Sequence, residues 1–436
     1  MAYMTGYPIL GISSTKLQLL IVEKDGQDFH VLSYYEEGHS AIKDGNLIDA
    51  NELIQKIKKV YEKTNFFLNS NISSAVLVFP DARTTIARNE VELSLQSEGS
   101  EINLKHINDL FKMTAKQLNV SAQALLNIFP ISFSVSGISD IENPKGLIGQ
   151  SVELDSFLVT VPKDLFMNVI YSIEQAKINI LEIFPTFYCN IIDISDEKNL
   201  KQGGNIVEVA YEHTMISIYE DGIPQKTRLL KNGINGIIQI LMNMYQISYE
   251  NAIDLLNSSV YFDEETAQDI VVYRLELPEG VLDITEQDLA QALSEYMNEL
   301  FSEIRGILEH FNAYSQYPII FIGELLQVPG YREMIKRFFP QQDIQFYSNQ
   351  VVGLREFNPT ALIGAAKMLP ARERLFETTF EVAETEDINL EIRNKKWRNE
   401  KIEEKTDKHE KTFWDKIANY FFDWVEWCII IMLKEI

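Results

Sequence analysis

Basic residues are scarce in this chain: 39 Lys and Arg stand against 64 Asp and Glu in 436 residues, a formal charge of −25 at pH 7. Such a surface repels phosphate backbones, and the one notable basic cluster is short and near the C-terminus, so nucleic acid is excluded as a partner. Cysteine is nearly missing too. Cys189 and Cys428 lie far apart, no Cys pair has metal-ligand spacing, and the six His are dispersed, so no metal ligands are assigned. Gly-x-Ser-x-Gly is absent, which removes one nucleophilic hydrolase pattern, and no catalytic residue is assigned. No run approaches the roughly twenty apolar residues that a spanning helix needs. Met1 to Leu10 has neither the basic start nor the long apolar stretch of a leader. The body is therefore expected in a reducing cytoplasm.

What is present suits a folded, soluble protein, with 46% hydrophobic and 24% charged residues. The length exceeds what one core usually serves. Three strand-like runs open the chain, Tyr7–Ile12, Leu17–Glu23 and Phe29–Tyr35, with Asp25-Gly26 as a hairpin signal. A helix is expected over Ala50–Asn65, with Leu53, Ile54, Ile57, Val60 and Tyr61 on one stripe, then a buried strand at Ala75–Phe79. The order returns later: Asn205–Val209, Thr214–Glu220 and Gln225–Leu230 around Asp221-Gly222, a helix over Gly236–Gln246, and a buried strand at Pro318–Gly323. Gly203-Gly204 reads as a turn into the next strand. Two copies of one plan imply an α/β protein with two domains facing a cleft.

The segment 84–160 reads as an inserted α+β subdomain, with a helix over Leu104–Asn119. A second insertion ends in a long helix, Glu286–Phe311, whose Leu289, Leu293, Met297, Leu300, Ile304 and Leu308 point inward. From about Arg374 the pattern changes. An acidic stretch over Glu377–Glu391 is followed by Arg393–Lys411, with eight basic residues against five acidic. This reads as a solvated linker.

Phe413, Trp414, Ile417, Phe421, Trp424, Trp427 and Ile431 then recur at helical spacing on one face, with Asp415, Lys416, Asn419, Asp423 and Glu426 opposite. Three of the four Trp lie here. Indole favours the headgroup boundary, and Asp423 and Glu426 interrupt any spanning run, so an amphipathic helix lying on a bilayer surface is expected. Docking of this helix on the protein's own core is the alternative.

Several short motifs in order resemble the FtsA family of bacterial cell-division proteins: Gly11-Ile12 opening a strand pair, Ile128–Phe133 (IFPISF), Asn143-Pro144 with Gly146-Leu147, and the run Val169–Phe184. Gly323 with Gln327-Val328-Pro329-Gly330, Asn358-Pro359 before the last helix, and the Trp-bearing end continue the series. The resemblance implies an actin-like fold of the actin, Hsp70 and sugar-kinase type, with duplicated ribonuclease-H-like units. It divides the chain into a first actin-like domain (1–83 and 161–197), the insert (84–160), a second domain core (198–232 and 313–373), its cap (233–312), the linker (374–411) and the terminal helix (412–436).

In such a fold ATP and Mg sit in the cleft, where Gly-rich hairpins let N–H groups reach the phosphates. The family's first hairpin, D-x-G-[ST]-[ST]-K, is here Gly11-Ile12 running into Ser13-Ser14-Thr15-Lys16, shorter and without its aspartate and glycine. The second, D-I-G-G-G-T-T-D, corresponds to Glu208-Val209-Ala210-Tyr211-Glu212-His213-Thr214-Met215, without glycine. Glu324 replaces the second glycine of a pair after Gly323. The residual cleft residues are Ser14, Thr15, Lys16, Glu208 and Gly323, and the expectation is weakened or lost ATP binding. The resemblance further implies the FtsZ C-terminal peptide as a partner near Arg305 on the long helix, self-association through the insert, and a place on the cytoplasmic face of the membrane at the division septum. For Arg305 an i,i+4 pair with Glu309 is the plain alternative, and the family's earlier arginine on that helix aligns with Tyr296. An actin-like ATPase of division or of pilus assembly, with unusual phosphate loops, is the competing function.

Overall fold

A computed structural model describes residues 6–381, apart from residues 27, 81–82, 96–98, 118–121, 198–199, 278–279, 312, 314–315, 350, 352–353 and 355–358. The first meander consists of β1 (Tyr7–Ile12), β2 (Lys16–Asp25) and β3 (Asp28–Gly38). Every residue of β1 is buried, as a strand covered on both faces must be. A small hairpin, β4 (Ile42–Lys43) and β5 (Asn46–Leu47), leads into α1 (Ala50–Leu68). Asp49 caps α1 by accepting from the Glu52 N–H, satisfying one donor that a helix start leaves open. Leu53, Ile57, Val60 and Tyr61 of the stripe read from the sequence are buried, and Ile54 is half-buried against them. β6 (Ser74–Phe79) returns parallel to β1.

The inserted region contributes β7 (Thr85–Ser94), β8 (Ser100–Glu101), α2 (Leu104–Lys116), β9 (Gln123–Val135), β10 (Ile138–Ile141), β11 (Ile148–Gly149) and β12 (Ser151–Pro162). Its main sheet has the order β10-β9-β12-β7. The chain then forms α3 (Lys163–Gln175), β13 (Asn179–Pro185) and α4 (Thr186–Ser195).

The second half lays down β14 (Gly203–Val209), β15 (Thr214–Glu220), β16 (Ile223–Leu230), α5 (Ile234–Tyr245), α6 (Tyr249–Ser258), β17 (Val271–Leu277), β18 (Gly280–Thr285) and α7 (Glu286–His310). β19 (Ile319–Ile322), a 3-10 turn (Glu324–Gln327), α8 (Tyr331–Phe338), β20 (Ile344–Phe346) and α9 (Thr360–Phe376) follow. The two large sheets run β13-β6-β1-β2-β3 and β16-β15-β14-β19-β20. Read from opposite edges these are one order: an antiparallel meander with two further strands added in parallel. The internal repeat in the sequence is a repeated five-stranded sheet.

Two local expectations need correction. Gly203 and Gly204 are not a turn: they open β14, paired with Glu220 and Tyr219. A Cβ there would strike Tyr317 or Tyr219, so glycine serves ring packing inside a strand. The linker expected from residue 374 also starts too early. Leu375 and Phe376 complete the core of the inserted sheet, and Phe380 is 2% exposed in the first core. Lys145 Nζ holds this segment, donating to the Arg374 carbonyl at 2.7 Å and the Glu377 carboxylate at 2.8 Å. Apolar residues within a charged stretch outweighed its composition, because each large side chain fully buried is worth about 1.5–3 kcal/mol.

Candidate functional site

The turn between β1 and β2 bonds to itself. Ser13 N–H donates to the Lys16 carbonyl at 2.9 Å. Ser13 Oγ accepts from the N–H groups of Thr15 and Lys16 at 3.4 and 3.0 Å. Ser14 is buried, and the Thr15 carbonyl accepts from His39 N–H. Three amides that a phosphate-binding hairpin would present are thus committed within the turn or close beside it.

Lys16 crosses toward the second sheet. Its Nζ lies 2.5 Å from Glu324 Oε1 and 3.7 Å from Glu36 Oε1. Burial alone would lower the Lys16 pKa, but the Glu324 and Glu36 carboxylates outweigh it and raise the pKa. The Glu324 side chain is 65% exposed, so the pair contributes little to stability; its consequence is that the ammonium is engaged. Gly323, at φ 108°, ends β19 and starts the 3-10 turn that carries Glu324. That positive φ is a conformation suited to glycine.

The β14–β15 turn is tied down by the start of α5. Ala210 N–H donates to the His213 carbonyl, while the carbonyls of Ala210 and Tyr211 accept from Ile234 and Asn235. Gly233 sits so close that a Cβ would meet the backbone of Ala210, Glu212 and His213. The Tyr211 hydroxyl bonds to that of Tyr249 at 2.6 Å. Glu212 reaches across the cleft and accepts from Asp44 N–H at 2.8 Å, in the β4–β5 turn. Burial raises the Glu212 pKa, and the Asp44 amide partly offsets this. Glu208, on β14, accepts from Asn190 Nδ2 of α4 at 2.8 Å.

Of the predicted cleft residues, Ser14, Thr15 and Lys16 share the β1–β2 turn, Lys16 reaches Glu324 beside Gly323, and Glu208 pairs with Ile322, next to Gly323, on the neighbouring strand. Sequence reasoning missed Asp44, Asn190, Gly233 and Tyr249. Only Asp44-Gly45 left a signal, an Asp-Gly hairpin pair. Among the described residues, no His, Cys, Asp and Glu side chains group as a metal site would.

Arg305 lies on α7 with its guanidinium 4.4 Å from the Phe338 ring centroid, a cation–π contact to α8. Tyr296, on the opposite side of α7, donates to the Gly233 carbonyl at 2.6 Å, so α7 touches the support of the second hairpin. Phe413, Trp414, Ile417, Phe421, Trp424, Trp427 and Ile431 lie outside the described residues.

The paired sheets around this cleft define the class: the chain has the actin-like ATPase fold. Solved structures similar to it include the PilM-PilN type IV pilus biogenesis complex, at 11% identity and a TM-score of 0.56 over 83% of this chain and 97% of that one. MreB5 of Spiroplasma citri bound to ADP is similar at 9% identity and a TM-score of 0.52, over 86% and 99%. Residues 82–160 match the model of the SHS2 domain inserted in FtsA. The cell-division protein FtsA of Staphylococcus epidermidis is 20% identical over 88% of this chain and 84% of its own, and that of Bacillus subtilis 19% over 80% of each. The chain is thus similar to FtsA cell-division proteins along most of its length, and its insert matches their inserted domain.

Proposed function

We propose that this protein is a division scaffold that joins FtsZ filaments to the cytoplasmic face of the membrane at the septum and grips ATP weakly or not at all. The observation that carries the nucleotide part is the state of the two hairpins. Three amides of the first hairpin and that of Ala210 in the second are bonded within the protein, Lys16 is paired with Glu324, and Glu212 puts a carboxylate beside the turn where phosphates would lie. Like charge and lost donors both oppose a triphosphate, so the residues present do not fit Mg·ATP. The division role follows from the FtsA relatives. The Trp-rich face from Phe413 to Ile431 supports the lipid contact, through partial burial of its large side chains.

The FtsZ C-terminal peptide is assigned to the α7 side of the second half, with Arg305 held ready over Phe338, and contact between copies to the inserted sheet. Vesicle flotation of the full chain against a chain ending at Lys408 tests the tether: the full chain floats and the shortened chain stays in solution. Equal flotation of both would remove the proposal. Tight, magnesium-dependent ATP binding in a calorimetric titration would favour an ATPase instead.

A further inference from the structure

The outer face of α1 places exposed rings beside a row of lysines. Phe66 at its C-terminal end is 77% exposed, the most exposed large apolar side chain among the described residues, and Phe67 is 63% exposed. Both lie one turn beyond Lys63 and share its side of the helix. Lys56, Lys59 and Lys63 all reach Glu37 of β3, at 3.2, 2.5 and 3.1 Å. One carboxylate among three ammonium groups leaves an excess of two positive charges, on a chain whose total is −25. Glu52, one turn before Lys56, accepts from the N–H and hydroxyl of Ser40 and keeps its negative charge at the far end of the helix from the rings. Glu62 stands one turn after Lys58 and one turn before Phe66, and bounds the basic row on that edge.

Water-exposed rings beside a fixed row of ammonium groups match a bilayer carrying anionic lipid, with rings below the headgroups and amines at phosphate level. Position supports the same surface. Tyr7 starts β1, at the end of the first sheet opposite the cleft turn, and the register puts it level with Ser74, where β6 begins after α1. The Tyr7 hydroxyl and the Phe380 N–H both bond to the Glu373 carboxylate, each at 2.9 Å. The chain thus leaves toward its Trp-rich segment at the end of the sheet that also carries Phe66.

We propose that Phe66, Phe67 and the lysine row held by Glu37 form a second membrane contact, specific for anionic lipid, that sets the orientation of the body once the terminal helix is inserted. This rests on the tether reading above, and the test separates the two. Full-length chains are compared for partition into phosphatidylcholine vesicles with and without about a quarter phosphatidylglycerol. The variants are Phe66→Ser with Phe67→Ser, Lys59→Gln with Lys63→Gln, and Trp424→Ala with Trp427→Ala. Each α1 variant is expected to lose roughly tenfold in partition to the anionic vesicles. The lysine variant should bind neutral vesicles like the unmodified chain. If both α1 variants partition as the unmodified chain does while the Trp variant fails, the second contact is wrong and the tether stands. If the Trp variant binds normally while the α1 variants fail, the tether reading falls and this contact stands. A lysine-variant loss of equal size on neutral vesicles overturns the assignment to anionic lipid.

Discussion

Lys16 shows how one side chain decides what a cleft can hold. Its partner Glu324 occupies a position where the FtsA pattern has glycine, so Glu324→Gly removes a carboxylate and leaves the amine only the longer pair with Glu36. Mg·ATP affinity, measured by calorimetry, is expected to rise roughly tenfold in that variant, since each removed charge conflict is worth about one pKa unit of energy. No change in affinity would show that Lys16 pairing is not what limits binding. Glu37 gives a second prediction at this scale. Its bonds from Lys59, Lys63 and Lys56 outweigh burial and hold its pKa at about 2, against 4.5 unperturbed. A folded pKa below the unfolded one contributes stability that is complete above pH 4.5 and vanishes as the pH falls toward 2. Urea unfolding of Glu37→Gln should therefore show a deficit at pH 7 that shrinks steadily below pH 4.5; a deficit independent of pH would assign it to packing alone. Neither bond network was legible in the sequence, because Lys16 and Glu324 are 308 positions apart and spacing says nothing about such pairs. The identity of the eroded turn residues was legible, because their alignment with a Gly-rich pattern needs only local order.

Elements built from continuous apolar runs were read well. β1, β6, β14 and β19 are short strands buried almost throughout, and such runs carry their own signal. What the sequence withheld is how helices approach. Gly364 of α9 faces Cys189 of α4, and a Cβ would land on the Cys189 carbonyl. Gly364→Ala should cost about 1–3 kcal/mol or more, read as a lower urea midpoint with an unchanged slope; a stability equal to the unmodified chain would contradict that packing. α9 is also pinned by charge. Arg372 donates to Asn127 Oδ1 at 2.7 Å and the Ile128 carbonyl at 2.9 Å, while Asn127 donates to Glu182 at 3.0 Å. These side chains join α9, β9 and β13, so the inserted sheet is fixed to the first sheet through a buried cluster. Arg372→Met strands the Glu182 carboxylate, whose pKa burial already raises, and is expected to destabilise by about 3–5 kcal/mol. Restoration by the added change Glu182→Met would confirm that the stranded charge, not lost volume, is the cause.

At the scale of the molecule, contacts between the two halves among the described residues include Lys16 with Glu324, Glu212 with the Asp44 amide and Glu208 with Asn190, all made by the protein's own groups. The proposed function has these contacts, rather than nucleotide, bring the halves together. The sequence made the repeated sheets and the acidic surface plain, since order and composition survive distant divergence. The early end assigned to the folded part failed because Leu375, Phe376 and Phe380 pack individually inside a stretch whose average is polar. Flotation of the full chain on vesicles, in nucleotide-free buffer and again with Mg·ATP, tests the account most directly. The account predicts the same floated fraction in both; a chain that floats only when Mg·ATP is present would contradict it.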